Sequence, residues 1–239
     1  MSMFTDIHHH LVYGVDDGSK TLEAMQKMIR QAYEEGTRNL ICTPHATPGR
    51  ERFPWADYYS HLKQAREYCK EEGIDLTLYE GAEILYTRET PRLLRERQIP
   101  SLANSRFALL EFLPENDFDY LCEAARNVRS AGFVPVFAHI ERYPCLKKVQ
   151  HLEWLREHYG VRLQMNARTL IRKNGFFEDR RIRRFLDSGL IHYISTDAHD
   201  MPHRHTCMQE AYEKLKEMYG QERADALTGG NAQEIFSRT

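Results

Sequence analysis

Nine side chains able to bind metal or move protons are spaced along this chain, and each closes an apolar run. His8 and His10 stand in "DIHHH", Asp16 or Asp17 in "GVDDGS", and His45 in "TPHAT". Glu83 follows in "GAEI", Glu111 in "LLEF", His139 in "AHIER", and Asp197 with His199 in "STDAH". A charged group directly after an apolar strand is costly to bury unless it is paired or metal-bound. Any one of these histidines alone reads most simply as hydrogen-bonded structure. Five imidazoles and four carboxylates in equivalent places read as a multinuclear metal site. Mixed imidazole and carboxylate donors suit manganese, iron or zinc rather than calcium or an iron–sulfur cluster.

The histidine triplet indicates how such a site is held. "FTDIH" has the composition of a strand, and a strand sends successive side chains to opposite faces. His8 and His10 then project together while His9 points away, so two of the three can grip one ion. Further strands are expected in "RNLICTPH", "LTLYEGAEI", "FALLEF", "VPVFAHI", "VRLQMNA" and "IHYISTDAH". Helical periodicity lies between them. Leu22, Met25, Ile29, Ala32 and Tyr33 recur after a Ser19 N-cap and before Gly36; Tyr59, Leu62, Ala65, Tyr68 and Cys69 recur within 56–72. Similar patterns cover 117–131, 147–159, 179–188 and 206–219.

Seven strands alternating with helices imply a parallel sheet, because each return to a parallel neighbour needs a crossover. The candidate ligands end six different strands. That favours a closed or distorted barrel, which gathers chemistry on one rim, over an open sheet with a single crevice. No linker, repeat or low-complexity stretch divides residues 1–239, so one domain is expected. The 33 basic and 35 acidic residues nearly cancel and give no sign of a nucleic-acid track or a membrane-binding surface. No apolar stretch is long enough to span a bilayer, and no secretory signal opens the chain. Five cysteines without a CxxC pair fit reduced thiols and a cytoplasmic location.

These motifs resemble the PHP (polymerase and histidinol phosphatase) superfamily. "DIHHHLVYGVDDGS", "YEGAEI", "ALLEF", "VFAHIERY" and "STDAH" are similar to its bacterial protein-tyrosine phosphatases, which regulate capsular and exopolysaccharide synthesis. The likeness runs over essentially the whole chain. It implies an α/β fold, a distorted (β/α)7 barrel with three divalent metal ions at the C-terminal ends of the strands, manganese first and iron or zinc as alternatives. It places His8, His10, Glu83 and Asp197 around one ion. Glu83 bridges to a second, completed by Glu111 and His139. His45 and His199 hold the third with Asp17, chosen over Asp16 on the family pattern alone. The remaining histidines, 61, 151, 158, 192, 203 and 205, are expected on the surface.

The reaction implied is phosphomonoester hydrolysis by hydroxide bridging the metals, without a phosphoenzyme. Three divalent ions outweigh four carboxylates, so the pocket attracts a phosphate dianion, and paired metals lower the pKa of a shared water to about 7. Arg142 and Arg204 are the candidate phosphate-binding forks. Asp200 and His203 are candidates for a general acid. The expected substrate is the phosphotyrosine-rich tail of a bacterial tyrosine kinase. The rivals are a small phosphomonoester such as histidinol phosphate, a phosphodiester, or a metal-stabilised scaffold without turnover. A thiolate mechanism is excluded because no cysteine is followed six residues later by arginine. An aspartyl-phosphate mechanism is excluded because Val15 stands where "GVDDGS" would need a carboxylate, and no P-loop is present. "PGRERFPWADYY" is either an arginine- and aromatic-rich wall beside the metals or a loop anchored on the fold by Phe53, Trp55 and Tyr58.

Overall fold

Strand β1 (Phe4–His9) is buried at every position, as befits a strand covered on both faces. The computed structural model describes residues 3–49 and 53–237. Chain order continues α1 (Leu22–Glu34), β2 (Thr37–Cys42), β3 (His45–Ala46), α2 (Trp55–Glu71), β4 (Thr77–Glu80), β5 (Glu83–Leu85) and α3 (Thr90–Arg95). Then come β6 (Phe107–Glu111), α4 (Phe118–Ser130), β7 (Val134–Phe137), α5 (Val149–Tyr159) and β8 (Arg162–Asn166). The chain ends with α6 (Ala167–Ile171), α7 (Phe176–Asp187), β9 (Tyr193–Ser195), α8 (Met208–Tyr219), α9 (Gln221–Asp225) and α10 (Gln233–Phe236). No helix among the described residues is long and apolar enough to cross a membrane.

Every ladder is parallel, in the orders β1-β2-β4 and β3-β5-β6-β7-β8-β9. A parallel bridge from His9 to Ala198 joins β1 to the chain just past β9. The molecule is therefore an α/β fold whose parallel sheet curls. Each of the seven expected runs holds a strand, but two are broken. Pro44, which has no N–H to give a ladder, separates β2 from β3. Gly81 separates β4 from β5, its N–H donated to the Tyr58 hydroxyl at 3.1 Å. The breaks serve the site, because they set His45 opposite Glu83 in the β3–β5 register.

Helix boundaries differ from the sequence reading in instructive ways. The N-cap of α1 is Thr21, whose side chain accepts the Ala24 N–H; Ser19 is instead buried and donates its N–H to the His10 carbonyl. Helix α8 starts at Met208 because the Glu35 carboxylate accepts the Met208 N–H at 2.8 Å. Helix α7 begins at Phe176, three residues ahead of the expected start.

Candidate metal centre

All nine expected residues converge at one end of the curled sheet, in three overlapping groups of donors. His8, His10, Glu83 and Asp197 form one; His10, Asp17, His45 and His199 another; His45, Glu83 and Glu111 a third. His139 joins through its Nε2, 2.7 Å from Glu83 Oε1 and 3.5 Å from Glu111 Oε1. Glu83 is the hub, since His8, His10 and His45 approach its Oε2 at 3.2, 3.3 and 2.9 Å. Two of the converging donors are held by unusual backbone. His139 and Asp197 have φ of 32° and 53° just beyond β7 and β9, in the left-handed region that non-glycine residues avoid. Such strain, of order 1–3 kcal/mol each, persists where surrounding structure fixes it, and it collects at functional sites.

The neighbouring aspartates, which the sequence could not tell apart, have different jobs. The Asp16 side chain is almost wholly covered; its Oδ2 lies 2.7 Å from His10 Nδ1 and accepts the His45 N–H at 3.1 Å. It orients a histidine, as carboxylates behind metal-binding imidazoles do. Asp17 is 61% exposed and faces His45 Nε2 and His199 Nε2 at 3.3 and 3.4 Å. Gly18 makes this possible, because a Cβ there would lie 2.4 Å from the His10 carbonyl oxygen. With Glu111 and His45 also partly exposed, Asp17 marks the open mouth of an otherwise buried cluster.

The donor set fits cations. His8 Nε2 and His10 Nε2 face one another at 3.2 Å, and both lie 3.4 Å from Asp197 Oδ1. Three imidazole nitrogens crowd Glu83 Oε2 without a well-formed hydrogen bond, and His199 Nε2 is buried without one, a crowding of lone pairs that a cation among them would relieve. The electrostatics of the cluster point the same way. Burial alone would push His10, His45 and His139 down, but the surrounding carboxylates override it. His10 is held well above the ordinary range by Asp16, Asp197 and Glu83, while Glu111 and Glu83 raise His45 to about 10 and His139 to about 9. Burial, with His10 adjoining, pushes His199 down to about 2.

Arg142 and Arg204 both reach this cluster. Arg142 Nη2 donates to Asp197 Oδ2 at 2.7 Å, and Arg204 Nη2 to Asp197 Oδ1 at 3.0 Å. Asp200 accepts the N–H groups of His203 and Arg204, so its carboxylate closes the turn that presents Arg204. That role keeps it ionised and unsuited to donating a proton. His203 is exposed.

Several supporting residues escaped the sequence reading. Gln164 Oε1 accepts the His139 N–H at 2.7 Å and lies 3.2 Å from His8 Nδ1. Its amide donates to Asn166 Oδ1, and Asn166 Nδ2 donates to Asp197 Oδ2 at 2.7 Å. The Tyr143 hydroxyl lies 3.2 Å from His139 Nδ1 and accepts the Phe112 N–H. Asp6 accepts from Thr196 and from the His8 N–H, tying β1 to the end of β9. The polar pair at positions 164 and 166 on an apolar strand was the available signal.

Other expectations need correction. His61 stacks on Tyr13 and bonds its carbonyl; His151 stacks on Phe118 and bonds the Cys145 carbonyl. His192 is part-buried, with Nδ1 accepting the Leu163 N–H. These three are structural histidines, not free surface ones. His9 does face away from the cluster, yet it is fully buried and neither ring nitrogen has a partner. Phe53, Trp55 and Tyr58 pack on one another, and the Tyr58 hydroxyl donates to the Cys42 carbonyl, so they anchor their loop. Arg50 and Arg52 of the expected wall lie outside the described residues. Burial pushes the thiols up, Cys69 to about 11 and Cys207 to about 12, the opposite of what a thiolate nucleophile needs.

A curled parallel sheet with this imidazole–carboxylate cluster at one end defines an α/β protein built around a candidate multinuclear metal centre. The chain belongs to the capsular polysaccharide synthesis CpsB/CapC family, whose sequence profile matches residues 4–237. The tyrosine-protein phosphatase CpsB of Streptococcus pneumoniae is 33% identical over 240 residues, 97% of each chain. The tyrosine-protein phosphatase YwqE of Bacillus subtilis is 28% identical over 223 residues, covering 93% of this chain and 88% of that one. A crystal structure from work on YwqE and CpsB, described there as unique metal-dependent tyrosine phosphatases, superposes with a TM-score of 0.87 at 28% identity. It covers 97% of this chain and 93% of that one.

Proposed function

We propose that this chain is a metal-dependent tyrosine-protein phosphatase of capsular or exopolysaccharide synthesis, built as one domain on a distorted (β/α)7 barrel. The observation that carries this reading is the convergence of nine donors and two arginines on one mouth, in a chain so similar to tyrosine-protein phosphatases. The proposed ligands are His8, His10, Glu83 and Asp197 for one cation. Glu83, Glu111 and His139 serve a second, and Asp17, His45 and His199 a third. His45 also faces Glu83 and Glu111 through Nδ1, at 2.9 and 3.6 Å, so it stands between two of these positions. Manganese is the proposed metal, with iron or zinc as the alternatives.

When bound, the cations supply Lewis-acid polarisation of phosphoryl oxygens and a water acidified toward neutral pH. The chain's own residues do the rest. Asp16, Gln164 and Tyr143 fix the rings of His10, His8 and His139, so that the donors are set before substrate arrives. Arg142 and Arg204, each partly exposed and holding one oxygen of Asp197, are free to fork the non-bridging oxygens of an entering phosphate. A phenolate leaving group, with pKa near 10, needs less help from a proton donor than an alkoxide does. That suits a site where Asp200 is already engaged in a turn.

The proposed substrate is the phosphotyrosine-bearing tail of a bacterial tyrosine kinase, and the proposed location is the cytoplasm. Phosphate release from a phosphotyrosyl peptide, with histidinol phosphate and a phosphodiester beside it, tests the reading. Preference for the peptide, abolished by chelation and restored by Mn²⁺, is expected. Faster turnover of histidinol phosphate, or turnover that survives chelation, would overturn it.

A further inference from the structure

The segment "RKNGFFEDRRIRR", residues 172–184, holds six basic and two acidic side chains in a chain of net charge −2. Both acids are engaged within it. Glu178 pairs with Arg181, and Asp179 accepts from the Asn174 N–H and side-chain amide at 3.3 and 3.0 Å. Arg172, Lys173, Arg180, Arg183 and Arg184 are all exposed. The whole-chain charge balance hides this local excess.

At its tip stand Phe176 and Phe177, 73% and 84% exposed, the two most exposed aromatic side chains among the described residues. Their rings meet edge-on with centroids 5.5 Å apart. Helix α7 already buries Ile182, Phe185 and Leu186 against the core, so folding does not call for two more aromatics left in water. A phenylalanine left in water forgoes the stabilisation that burial would give it.

The tip lies at the end of the fold that carries the metal cluster. Asn166, the last residue of β8, is the N-cap of α6, and four residues separate the end of α6 from the start of α7. Arg181 donates to the Glu141 carbonyl at 2.6 Å, next to Arg142. Arg168 donates to the His205 carbonyl at 3.0 Å, next to Arg204. Beside the tip is a cavity of about 560 Å³ whose charged lining is Arg172, Lys173, Arg183 and Lys214 against Asp179 and Glu217, four basic to two acidic.

We propose that this surface docks the protein on an anionic lipid membrane, with both phenylalanine rings in the interfacial layer and the cationic side chains against lipid phosphates. Charge complementarity calls for an anionic partner. The aromatic pair selects the membrane over an acidic peptide: the rings protrude at a helix end and touch each other, and a bilayer interface accepts protruding rings where a peptide needs a cleft to cover them. Docking in this way turns the mouth near Arg142 and Arg204 toward the lipid surface, where phosphotyrosines close to a membrane are within reach. The lipid contact itself does not depend on the phosphatase reading.

Co-sedimentation of the full chain with vesicles of phosphatidylcholine plus phosphatidylglycerol, and of phosphatidylcholine alone, tests the proposal. The wild type is expected to bind the anionic vesicles, to bind neutral ones far less, and to be released by salt. The double variant Phe176→Ser, Phe177→Ser lowers vesicle affinity about tenfold or more. Arg180→Glu with Arg183→Glu moves in the same direction and keeps the test decisive if the serine pair unfolds. Hydrolysis of a soluble phosphotyrosyl peptide is unchanged in each folded variant. Absence of wild-type binding, equal binding to neutral vesicles, or wild-type affinity in the folded variants overturns the proposal. So does a raised KM for an acidic phosphopeptide without vesicle binding, which would assign the surface to a peptide.

Discussion

Asp16 holds the Nδ1 side of the His10 ring at 2.7 Å, while its neighbour Asp17 faces the histidines of the opposite wall. One carboxylate orients an imidazole of the cluster and the other stands among the donors, though a single peptide bond separates them. Asp16→Asn removes the charge that fixes His10 and is expected to weaken metal affinity about 10–100-fold. Asp17→Asn leaves His10 oriented and removes one exposed donor, with a smaller loss. Metal titration of both variants, followed by metal analysis of the dialysed protein, checks the order; unchanged affinity in Asp16→Asn would remove its orienting role.

Gly18 is the third part of that loop. An added Cβ would meet the His10 carbonyl oxygen at 2.4 Å and the His10 Cβ at 2.5 Å, and neither can retreat without moving β1. Gly18→Ala is expected to cost about 1–3 kcal/mol, the usual range for overpacking, and to weaken metal binding by shifting Asp16 and Asp17. Chemical unfolding and metal titration of the same variant should both move. A Gly18→Ala protein with native stability would show that the loop yields freely.

The clustered donors were legible in the sequence because most of them end an apolar run, and the alternation of a strand separated His9 from its neighbours. Assigning Asp16 and Asp17 was beyond it, since the choice depends on how closely Gly18 approaches His10, a distance with no sequence signature. Gln164 and Asn166 went unread because amides are weak metal donors; their part is to position His8, His139 and Asp197, which becomes visible only once β7, β8 and β9 are side by side. Helices α3 and α6 are too short to show a period, and the break at Pro44 fell inside a run that otherwise looked continuous. The basic surface of α7 cancelled against acids elsewhere in the whole-chain charge.

Metal uptake should release protons. Carboxylates raise His45 to about 10 and His139 to about 9 and keep His10 well above its usual value, so all three carry protons at pH 7 before metal enters. A ligating ring nitrogen must lose its proton, and affinity therefore falls as pH falls below these values. Calorimetric titration with Mn²⁺ in buffers of different ionisation enthalpy reads the protons directly. A heat of binding independent of buffer would show that these rings are already neutral.

Arg142→Lys and Arg204→Lys test the phosphate forks. Lysine keeps the charge but loses the two-pronged geometry, so metal content should stay at the wild-type level while turnover of a phosphotyrosyl peptide drops about tenfold or more. Arg142 is the stronger case, because its 2.7 Å bond to Asp197 is the shorter of the two. Steady-state kinetics on metal-saturated protein separate the effects; wild-type kcat and KM in either variant would take that arginine out of the reaction.

His192 gives the fold an acid-sensitive point far from the chemistry. Burial, with Arg162 and Arg156 nearby, lowers it from 6.5 to about 4, and its Nδ1 must stay bare to accept the Leu163 N–H. Between those values the unfolded chain binds a proton that the native one refuses, so this residue makes stability fall as pH drops from 6.5 to about 4. The full shift corresponds to about 3 kcal/mol at about 1.4 kcal/mol per unit, and partial exposure of the ring reduces it to about 2. Asp6 opposes the trend, because burial raises it to about 6 and the native state then holds a proton that the unfolded state releases above 3.8. The contribution of His192 is isolated by His192→Asn, whose side-chain oxygen can accept the Leu163 N–H without titrating. Urea unfolding of both metal-free proteins across this pH range should show the variant gaining on the wild type as pH falls, and parallel curves would mean that His192 does not carry the effect.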